Sequence, residues 1–345
     1  MMTSNLKFGI LGAGSIGTYI GAHLIRAGLD TVLVGRKKLA HEIQENGLRI
    51  TNYRGTDFHL ALQQVKYSTE IESLAGRDIV LVTVKSAATE ESVTRLKPVL
   101  PAGKTVVSFQ NGVRNAEVLR SILTEAHVLA GMVPYNVVWN SPAHFHCGTS
   151  GTLVIEEQGN ISHTVLSGLR QAGLMAKTHA DLSGILWGKL IFNLNNAINA
   201  LAGIPLREEI SDLGYRKIIA AAMREALMVL KQSRIRPTGS GGMQPNVAPF
   251  ILSLPNFLFL RVASRMIQID PQARSSMWQD LQQGKKTEID FINGEIVTLA
   301  QKNGLAAPIN DKVTTLIKEV EMKGGGSPNI SATEMLKKFS IKSAH

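Results

Sequence analysis

The tightest constraint on this chain lies at its start. A short apolar run, Lys7-Phe8-Gly9-Ile10-Leu11, feeds directly into Gly12-Ala13-Gly14-Ser15-Ile16-Gly17, and a helical pattern follows over 18–27. Each glycine has its own physical reason. Gly12 allows a tight turn, Gly14 lets the backbone approach a pyrophosphate, and Gly17 lets the helix pack closely on the strand. The helix N-terminus then offers unpaired N–H groups and a partial positive charge to phosphates. A second strand-like run, Thr31-Val32-Leu33-Val34, completes the opening of a βαβ unit. The spacing therefore predicts a dinucleotide site held by residues 12–17; the alternative is a glycine-rich turn without a ligand. The end of the second strand discriminates between dinucleotides. An NAD site usually carries Asp or Glu there to accept from the ribose 2′-hydroxyl. This chain has Gly35-Arg36-Lys37-Lys38, which removes the acid and supplies cations suited to a 2′-phosphate. NADP(H) is the expected cofactor, with a solvated basic turn as the alternative.

Length and patterning predict two domains. The chain has 345 residues and is 44% hydrophobic, enough for two cores. Up to about residue 180, β-branched runs alternate with helical patterns. Runs at 78–84, 105–109, 128–133 and 152–156 read as strands, so a mostly parallel sheet with helices on both faces is expected over 1–180. Ligands of such sheets bind beyond the carboxyl ends of the strands. Residues 12–17, Arg36, Lys85 and Asn111 all fall at such ends, so they are expected to line one crevice. From 181 to 345 the strand-like runs vanish. Helical patterns over 183–203, 208–235, 271–303 and 308–323 predict an all-α domain, interrupted by Gly- and Pro-containing segments at 236–249 and 324–328.

Composition excludes several classes of function. Cys147 is the only cysteine, so no intrachain disulfide can form, which fits a reducing cytosol. Residues 1–5 run straight into the first strand and leave no room for a signal peptide, so a cytoplasmic protein is expected. The longest apolar stretch, 250–263, is broken by Pro255, Asn256 and Arg261 and is too short to span a bilayer. Net charge is +10, but apart from Arg36-Lys37-Lys38 and a C-terminal group (Lys337, Lys338, Lys342) the cations are dispersed. That distribution suits attraction of anionic small molecules, not nucleic acid.

The second half carries residues able to do chemistry. Over 187–198, Lys189, Asn193 and Asn196 fall within an arc of about 60° on a helical wheel, opposite Leu190, Leu194, Ile198 and Leu201. Asn is a poor helix former, so a stripe of Lys and Asn suggests a polar cleft; an exposed helix face is the alternative. Thr287 to Asp290 fits a capping box, with Glu288 in a first helical turn. Glu288 also falls in line with Ile292, Ile296 and Leu299. A carboxylate on an apolar face needs a partner, and Lys189 is the natural candidate. His144-Phe145-His146-Cys147 lacks the spacing of a zinc site, so no metal is expected. Met277 and Trp278 read as packing residues.

Taken together these motifs resemble the ketopantoate reductase (2-dehydropantoate 2-reductase) family. The resemblance runs from Phe8 to about Ala306. It is carried by Gly-Ala-Gly-Ser-Ile-Gly at 12–17, Arg36, Val84-Lys85, Gln110-Asn111-Gly112, Trp187-x-Lys189-Leu190-x-x-Asn193, Ser276-Met277-x-x-Asp280, and residues 287–294. It implies a Rossmann-type N-terminal domain and a helical C-terminal domain of the 6-phosphogluconate-dehydrogenase type. It implies reduction of 2-dehydropantoate to (R)-pantoate with NADPH, on the route to pantothenate and coenzyme A. By position, residues Gly12, Ala13, Gly14, Ser15, Ile16 and Gly17 would hold the pyrophosphate and Arg36 the 2′-phosphate. Lys85 and Asn111 would reach the nicotinamide-ribose side and the substrate. Lys189 would donate the proton, Asn193 and Ser276 would bind substrate oxygens, and Glu288 would pair with the catalytic site. Many members carry a second Asn eight residues after the Lys. Here that place is Ala197, and Asn196 is the nearest substitute.

The chemistry holds together on its own terms. A ketone reduction needs a hydride on one face and an acid at the carbonyl oxygen, where an ammonium can stabilise the developing alkoxide. Two other readings remain open: a related NADP-dependent reductase of another branched 2-keto acid, and a non-catalytic NADPH-sensing protein on the same scaffold. The oligomeric state is open as well, a homodimer among the options.

Overall fold

The computed structural model describes residues 6–239, 243–262 and 272–341. Residues 1–5, 240–242, 263–271 and 342–345 lie outside them. With those residues fall the expected leaderless start, part of the 236–249 segment, the end of the apolar stretch, the start of the 271–303 helix, and Lys342. The chain divides into two compact units, the first running to Leu182 and the second starting at Ser183.

The first unit is built on strands β1 (Lys7–Leu11), β2 (Asp30–Val34), β3 (Leu48–Asn52), β4 (Asp57–Leu60), β5 (Lys66–Ser68), β6 (Ile79–Val82), β7 (Thr105–Ser108), β8 (His127–Met132), β9 (Val137–Asn140), β10 (His144–Cys147), β11 (Leu153–Glu156) and β12 (Ala176–His179). Eight of them form one sheet in the order β5-β2-β1-β6-β7-β8-β11-β12. All neighbours are parallel except β8 and β11, which run antiparallel. Helices α1 (Ser15–Arg26), α2 (Lys37–Asn46), α3 (Thr89–Leu96), α4 (Asn115–Ile122) and α5 (Asn160–Gln171) connect the strands.

The side-chain alternation of a strand explains the layers. Phe8, Ile10, Leu33, Leu81, Val107 and Leu129 point to the face covered by α1 and α5, joining Ile20, Leu24, Val165 and Leu169. Leu11, Val32, Val80, Val82, Val106 and Val128 point to the other face, joining Val93 and Leu96 of α3 and Leu119 of α4. A strand buried on both faces reads as an unbroken apolar run, which is why these strands were legible in the sequence. The chain moves outward from β1 in both directions across the sheet, so the order reverses between β1 and β6. Such a switch point is where a crevice opens at the carboxyl ends.

One element was not anticipated. Strands β3, β4, β9 and β10 form a small second sheet in the order β4-β3-β10-β9. Its buried face (Leu48, Ile50, Leu60, Val137, Phe145, Cys147) joins the same core as α1, while Arg49, Thr51, His144 and His146 give the other face a polar reading. Glu42 of α2 pins the β9–β10 turn, accepting from Trp139 Nε1 (3.0 Å), Ser141 Oγ (3.1 Å) and the Ala143 amide (2.7 Å). The His144–Cys147 run is thus a strand. The Thr51 hydroxyl bridges His144 Nε2 (2.7 Å) and His146 Nδ1 (2.8 Å). No group of three or more metal-ligating side chains occurs among the described residues.

Among the described residues the second unit is wholly helical. Helices α6 (Leu182–Asn193), α7 (Asn195–Ala202), α8 (Leu206–Ser211), α9 (Leu213–Gln232), α10 (Ala248–Leu252), α11 (Asn256–Val262), α12 (Ser276–Gln282), α13 (Asn293–Lys302), α14 (Pro308–Lys323) and α15 (Ala332–Lys338) follow in order. Helix α9 is central; Ile218, Ile219, Ala222, Met223, Ala226 and Val229 are buried along it. No helix among the described residues is long and apolar enough to cross a membrane.

Three expected helices are broken. The 183–203 helix divides at Leu194, within a run that sets three poor helix formers, Asn193, Asn195 and Asn196, close together. The 208–235 helix divides at Asp212, whose carboxylate caps α9 by accepting from Gly214 N (2.6 Å) and Tyr215 N (3.4 Å). The 271–303 helix is replaced by α12, a single 3₁₀ turn at Ile289–Phe291, and α13.

Candidate active site

The first unit presents a helix N-terminus prepared for an anion. Gly12 has a φ of +99°, a conformation that suits glycine, and a Cβ there would lie 2.6 Å from the Val84 amide nitrogen. The Gly12 and Ala13 amides both donate to the Val34 carbonyl, at 3.0 and 2.8 Å, locking the turn to β2. A Cβ on Gly17 would lie 2.3 Å from Thr83 Oγ1 and 2.6 Å from the Gly12 carbonyl, so this glycine is needed for helix–strand packing. Gly14 differs: a Cβ there would meet nothing closer than 4.0 Å. Its outer side is open. Helix α1 starts behind Gly14 with no side-chain cap and no acid in its first turn. The amides of Ser15, Ile16 and Gly17 therefore lack helical acceptors, and no nearby carboxylate opposes an incoming phosphate.

Past β2, a Cβ on Gly35 would lie 2.4 Å from the Tyr67 hydroxyl and 2.9 Å from Ala13 Cβ. Packing thus excludes an acid at that place. Arg36, the N-cap residue of α2, is exposed, and its carbonyl accepts from the Tyr67 hydroxyl at 3.0 Å. Among the described residues no carboxylate pairs with its guanidinium. Lys38, by contrast, is committed: it lies 3.8 Å from Glu42 and 5.3 Å from the centre of the Trp139 ring.

Lys85 and Asn111 follow the neighbouring strands β6 and β7, and a buried polar network ties their loops together. The Ser86 hydroxyl donates to the Asn111 carbonyl (2.8 Å), as does Asn115 Nδ2 (2.5 Å). Gln110 Nε2 donates to the Val84 carbonyl (3.1 Å) and to the Thr89 hydroxyl (2.6 Å), and the Thr89 hydroxyl donates to Asn115 Oδ1 (2.9 Å). Ser86, Thr89 and Asn115 were missed by sequence reasoning. Their only signal was an unusual density of small polar residues at strand ends. Residues 12–17, Arg36, Lys85 and Asn111 lie beyond the carboxyl ends of β1, β2, β6 and β7, respectively.

In the second unit, Lys189 sits on α6 between the buried Trp187, Leu190 and Ile191. Its side chain keeps some access to solvent, but atoms crowd the charge, and desolvation lowers its pKa to about 8. The Glu288 carboxylate acts in the opposite sense, favouring the ammonium. The two residues are therefore brought within electrostatic reach, though not by the expected geometry. Glu288 does not occupy a helix face with Ile292, Ile296 and Leu299. It stands in a bend ahead of the Ile289–Phe291 turn. Thr287 does not close a capping box either. Its amide (2.8 Å) and hydroxyl (2.6 Å) both donate to Glu321 Oε1 of α14, and Lys318 of α14 takes Asp290 at 2.6 Å. Long-range bonds to α14 outcompete the local cap and hold the bend that carries Glu288.

Asn193 and Asn196 are half-buried and their amides find no hydrogen-bond partner among the described residues. Ala197 is fully buried and offers no polar contact. Ser276 is the exposed first residue of α12, and the Ser275 side chain caps that helix by accepting from Trp278 N at 3.1 Å. Met277 is buried, and Trp278 lies under the Arg274 guanidinium, 4.6 Å from the ring centre.

Comparison with known proteins agrees in both units. The family described as ketopantoate reductase PanE/ApbA matches residues 8–160, and its C-terminal counterpart matches 181–321. The 2-dehydropantoate 2-reductase of Pyrococcus horikoshii is 29% identical over 332 residues, spanning 93% of this chain and 100% of that protein. The crystal structure of a PanE/ApbA family ketopantoate reductase from Ralstonia eutropha is 30% identical with a TM-score of 0.79, over 92% of this chain and 99% of its own. A D-mandelate dehydrogenase solved with NADH and anilino(oxo)acetate has a TM-score of 0.77 at 19% identity, over 92% of this chain and 99% of its own, a likeness of fold alone.

Proposed function

Because this chain belongs to the PanE/ApbA ketopantoate reductase family, and is thus an oxidoreductase, we propose that it reduces 2-dehydropantoate to (R)-pantoate with NADPH. The carrying observation is Lys189, a partly desolvated ammonium near neutrality, coupled to the Glu288 carboxylate. A pKa near working pH is what a general acid requires.

The residues of the first unit fit the cofactor. The open side of Gly14 and the uncapped first turn of α1 suit a pyrophosphate. Gly35 leaves no place for an acid facing the ribose, and the exposed Arg36 suits a 2′-phosphate. NADPH, when bound, supplies the hydride to C2 of the keto acid. Lys189 then gives its Nζ proton to the carbonyl oxygen as negative charge builds there, and the neutral amine regains a proton from solvent. Glu288 orients the ammonium and interacts with the substrate hydroxyl. The amides of Asn193 and Asn196, without partners among the described residues, and the Ser276 hydroxyl hold the substrate oxygens, and Lys85 and Asn111 serve the nicotinamide-ribose side. The protein would act in the cytoplasm.

A second reading, a reductase of another branched 2-keto acid, draws on the buried Ala197, which removes one polar contact expected of the family. The deciding experiment follows NADPH absorbance with 2-dehydropantoate beside a panel of 2-keto acids. Ketopantoate should show the highest kcat/KM. A rival acid favoured by about tenfold or more would install the second reading, and turnover of none would leave a nucleotide-sensing protein.

A further inference from the structure

The helical unit contains a second polar cluster that the reaction does not use. Glu209 of α8 is fully buried, at 0% exposure. Its Oε2 accepts from Asn195 Nδ2 at 3.2 Å and from Asn199 Nδ2 at 3.0 Å, both on α7. Asn199 is committed at every polar atom. Its Nδ2 also donates to the Ile204 carbonyl (3.0 Å), and its Oδ1 accepts from the Ser275 amide (2.9 Å). Ser275 is equally committed: its hydroxyl donates to the Asn196 carbonyl (2.9 Å) and accepts from Trp278 N (3.1 Å). A continuous chain of hydrogen bonds thus runs from Glu209 to the backbone of Asn196 and to the start of α12, where Ser276 stands.

Two features of this chain need explanation. Glu209 Oε1 and Asn195 Oδ1 are buried and have no hydrogen-bond partner among the described residues. No lysine, arginine or histidine pairs with the carboxyl group among the described residues. An ionised carboxylate placed here would be desolvated, with two amide donors on one oxygen and none on the other. A neutral acid fits better: the bonded oxygen is its carbonyl, and the oxygen without a donor carries the proton. An apolar residue here would leave the buried Asn195 amide without its acceptor, so the carboxyl group is tied to the asparagines of α7.

We infer that Glu209 is a positioning residue for the keto-acid site: as an uncharged carboxylic acid it fixes Asn195 and Asn199, and through Asn199 and Ser275 it sets the places of Asn196 and Ser276. The inference rests on the functional reading above, in which Asn196 and Ser276 hold the substrate. Loss of Glu209 removes the acceptor that Asn195 and Asn199 share; Asn199 keeps only its bonds to Ile204 and Ser275, so the Ser275 bond to Asn196 is held less firmly. The residues assigned to the cofactor lie in the first unit and take no part in these hydrogen bonds.

The test compares Glu209→Gln, Glu209→Ala and Ser275→Ala with wild type by steady-state kinetics, varying ketopantoate and NADPH separately, alongside thermal unfolding. Glu209→Gln keeps a carbonyl acceptor and places an N–H where the acid has its O–H, so both KM values should stay within about twofold of wild type. Glu209→Ala and Ser275→Ala should raise the ketopantoate KM about tenfold or more and move the NADPH KM less than about twofold. If Glu209→Ala does not fold, the other two variants decide. An unchanged ketopantoate KM in folded Ser275→Ala would overturn the inference, as would both KM values rising together. Damage in Glu209→Gln equal to that in Glu209→Ala would show that a charge is required, and would also overturn it. These outcomes all presuppose an active wild type; a wild type inert toward every 2-keto acid removes the functional reading and this inference with it.

Discussion

At Lys189, burial and a carboxylate pull the ammonium in opposite directions, and burial is the larger effect. The reference value of 10.5 falls to about 8 even with Glu288 favouring the charged form. At pH 7 most molecules then hold the proton that the reaction consumes. As pH rises through about 8 the acid is lost, so kcat should decline there. Lys189→Ala should lower kcat by roughly 10²–10⁴ and leave NADPH affinity little changed. In Glu288→Gln the favourable charge is gone, so the alkaline limb of the kcat profile should move to lower pH; a limb that stays in place would detach Glu288 from Lys189. Arg36 is the other residue whose effect can be isolated. Arg36→Ala should weaken NADPH binding by about 1–3 kcal/mol and leave NADH binding nearly unchanged, as titration calorimetry would show. Equal losses would mark Arg36 as structural.

Among the elements, the β1–turn–α1 unit separates two uses of glycine. At Gly17 any Cβ collides with Thr83 Oγ1 and with the Gly12 carbonyl. Gly17→Ala should therefore cost about 1–3 kcal/mol of stability by overpacking. At Gly14 the same methyl group meets nothing closer than 4.0 Å. Gly14→Ala should leave the melting temperature nearly unchanged and weaken NADPH binding, because the methyl group occupies the approach to the α1 N-terminus. A Gly14→Ala variant that melts early and binds normally would refute the assignment. The bend before α13 makes the complementary point. Its residues read as a helix start, yet α14 supplies Glu321 to Thr287 and Lys318 to Asp290 and holds them in another shape.

Across the whole molecule, stability should respond to pH with opposite sign in the two units. In the first, burial lowers the pKa of His23 from 6.5 to about 4. The unfolded chain binds that proton first, so stability is lost as pH falls from about 6.5 through 4. Asp30, held down by its bond to Lys66, and Asp78, held down by its bond to Lys104, add to the loss at lower pH. In the second unit burial raises Glu209 from 4.5 to about 8. Here the folded chain holds the extra proton, so stability falls as pH rises from about 4.5 to 8. Calorimetry across this range should show the first unit weakest in acid and the second losing stability toward alkali. His23→Phe should flatten the acid slope, and Glu209→Gln the alkaline one. Slopes unaffected by either substitution would mean that other groups govern the response.

Local periodicity and turn chemistry determined a large part of this protein. The doubly buried strands β1, β2, β6 and β7 announce themselves as apolar runs, and the glycine turn announces itself because few other sequences satisfy its backbone. The absence of an acid after β2 is equally local, so the expected cofactor class could be read without coordinates. The helical repeat put Lys189, Asn193 and Asn196 on one stripe, but α6 ends at Asn193, and Asn196 belongs to α7. What the sequence could not supply depends on distant partners. The small sheet joins 48–60 to 137–147, pairings that no local window contains, and its half-polar strands have weak periodicity. The electrostatic coupling of Lys189 to Glu288, the bend made by Glu321, and the chain from Glu209 through Asn199 to Ser275 all link residues far apart in sequence. The desolvation that brings Lys189 near neutrality comes from the atoms packed around it, and only the tertiary structure decides where those atoms are.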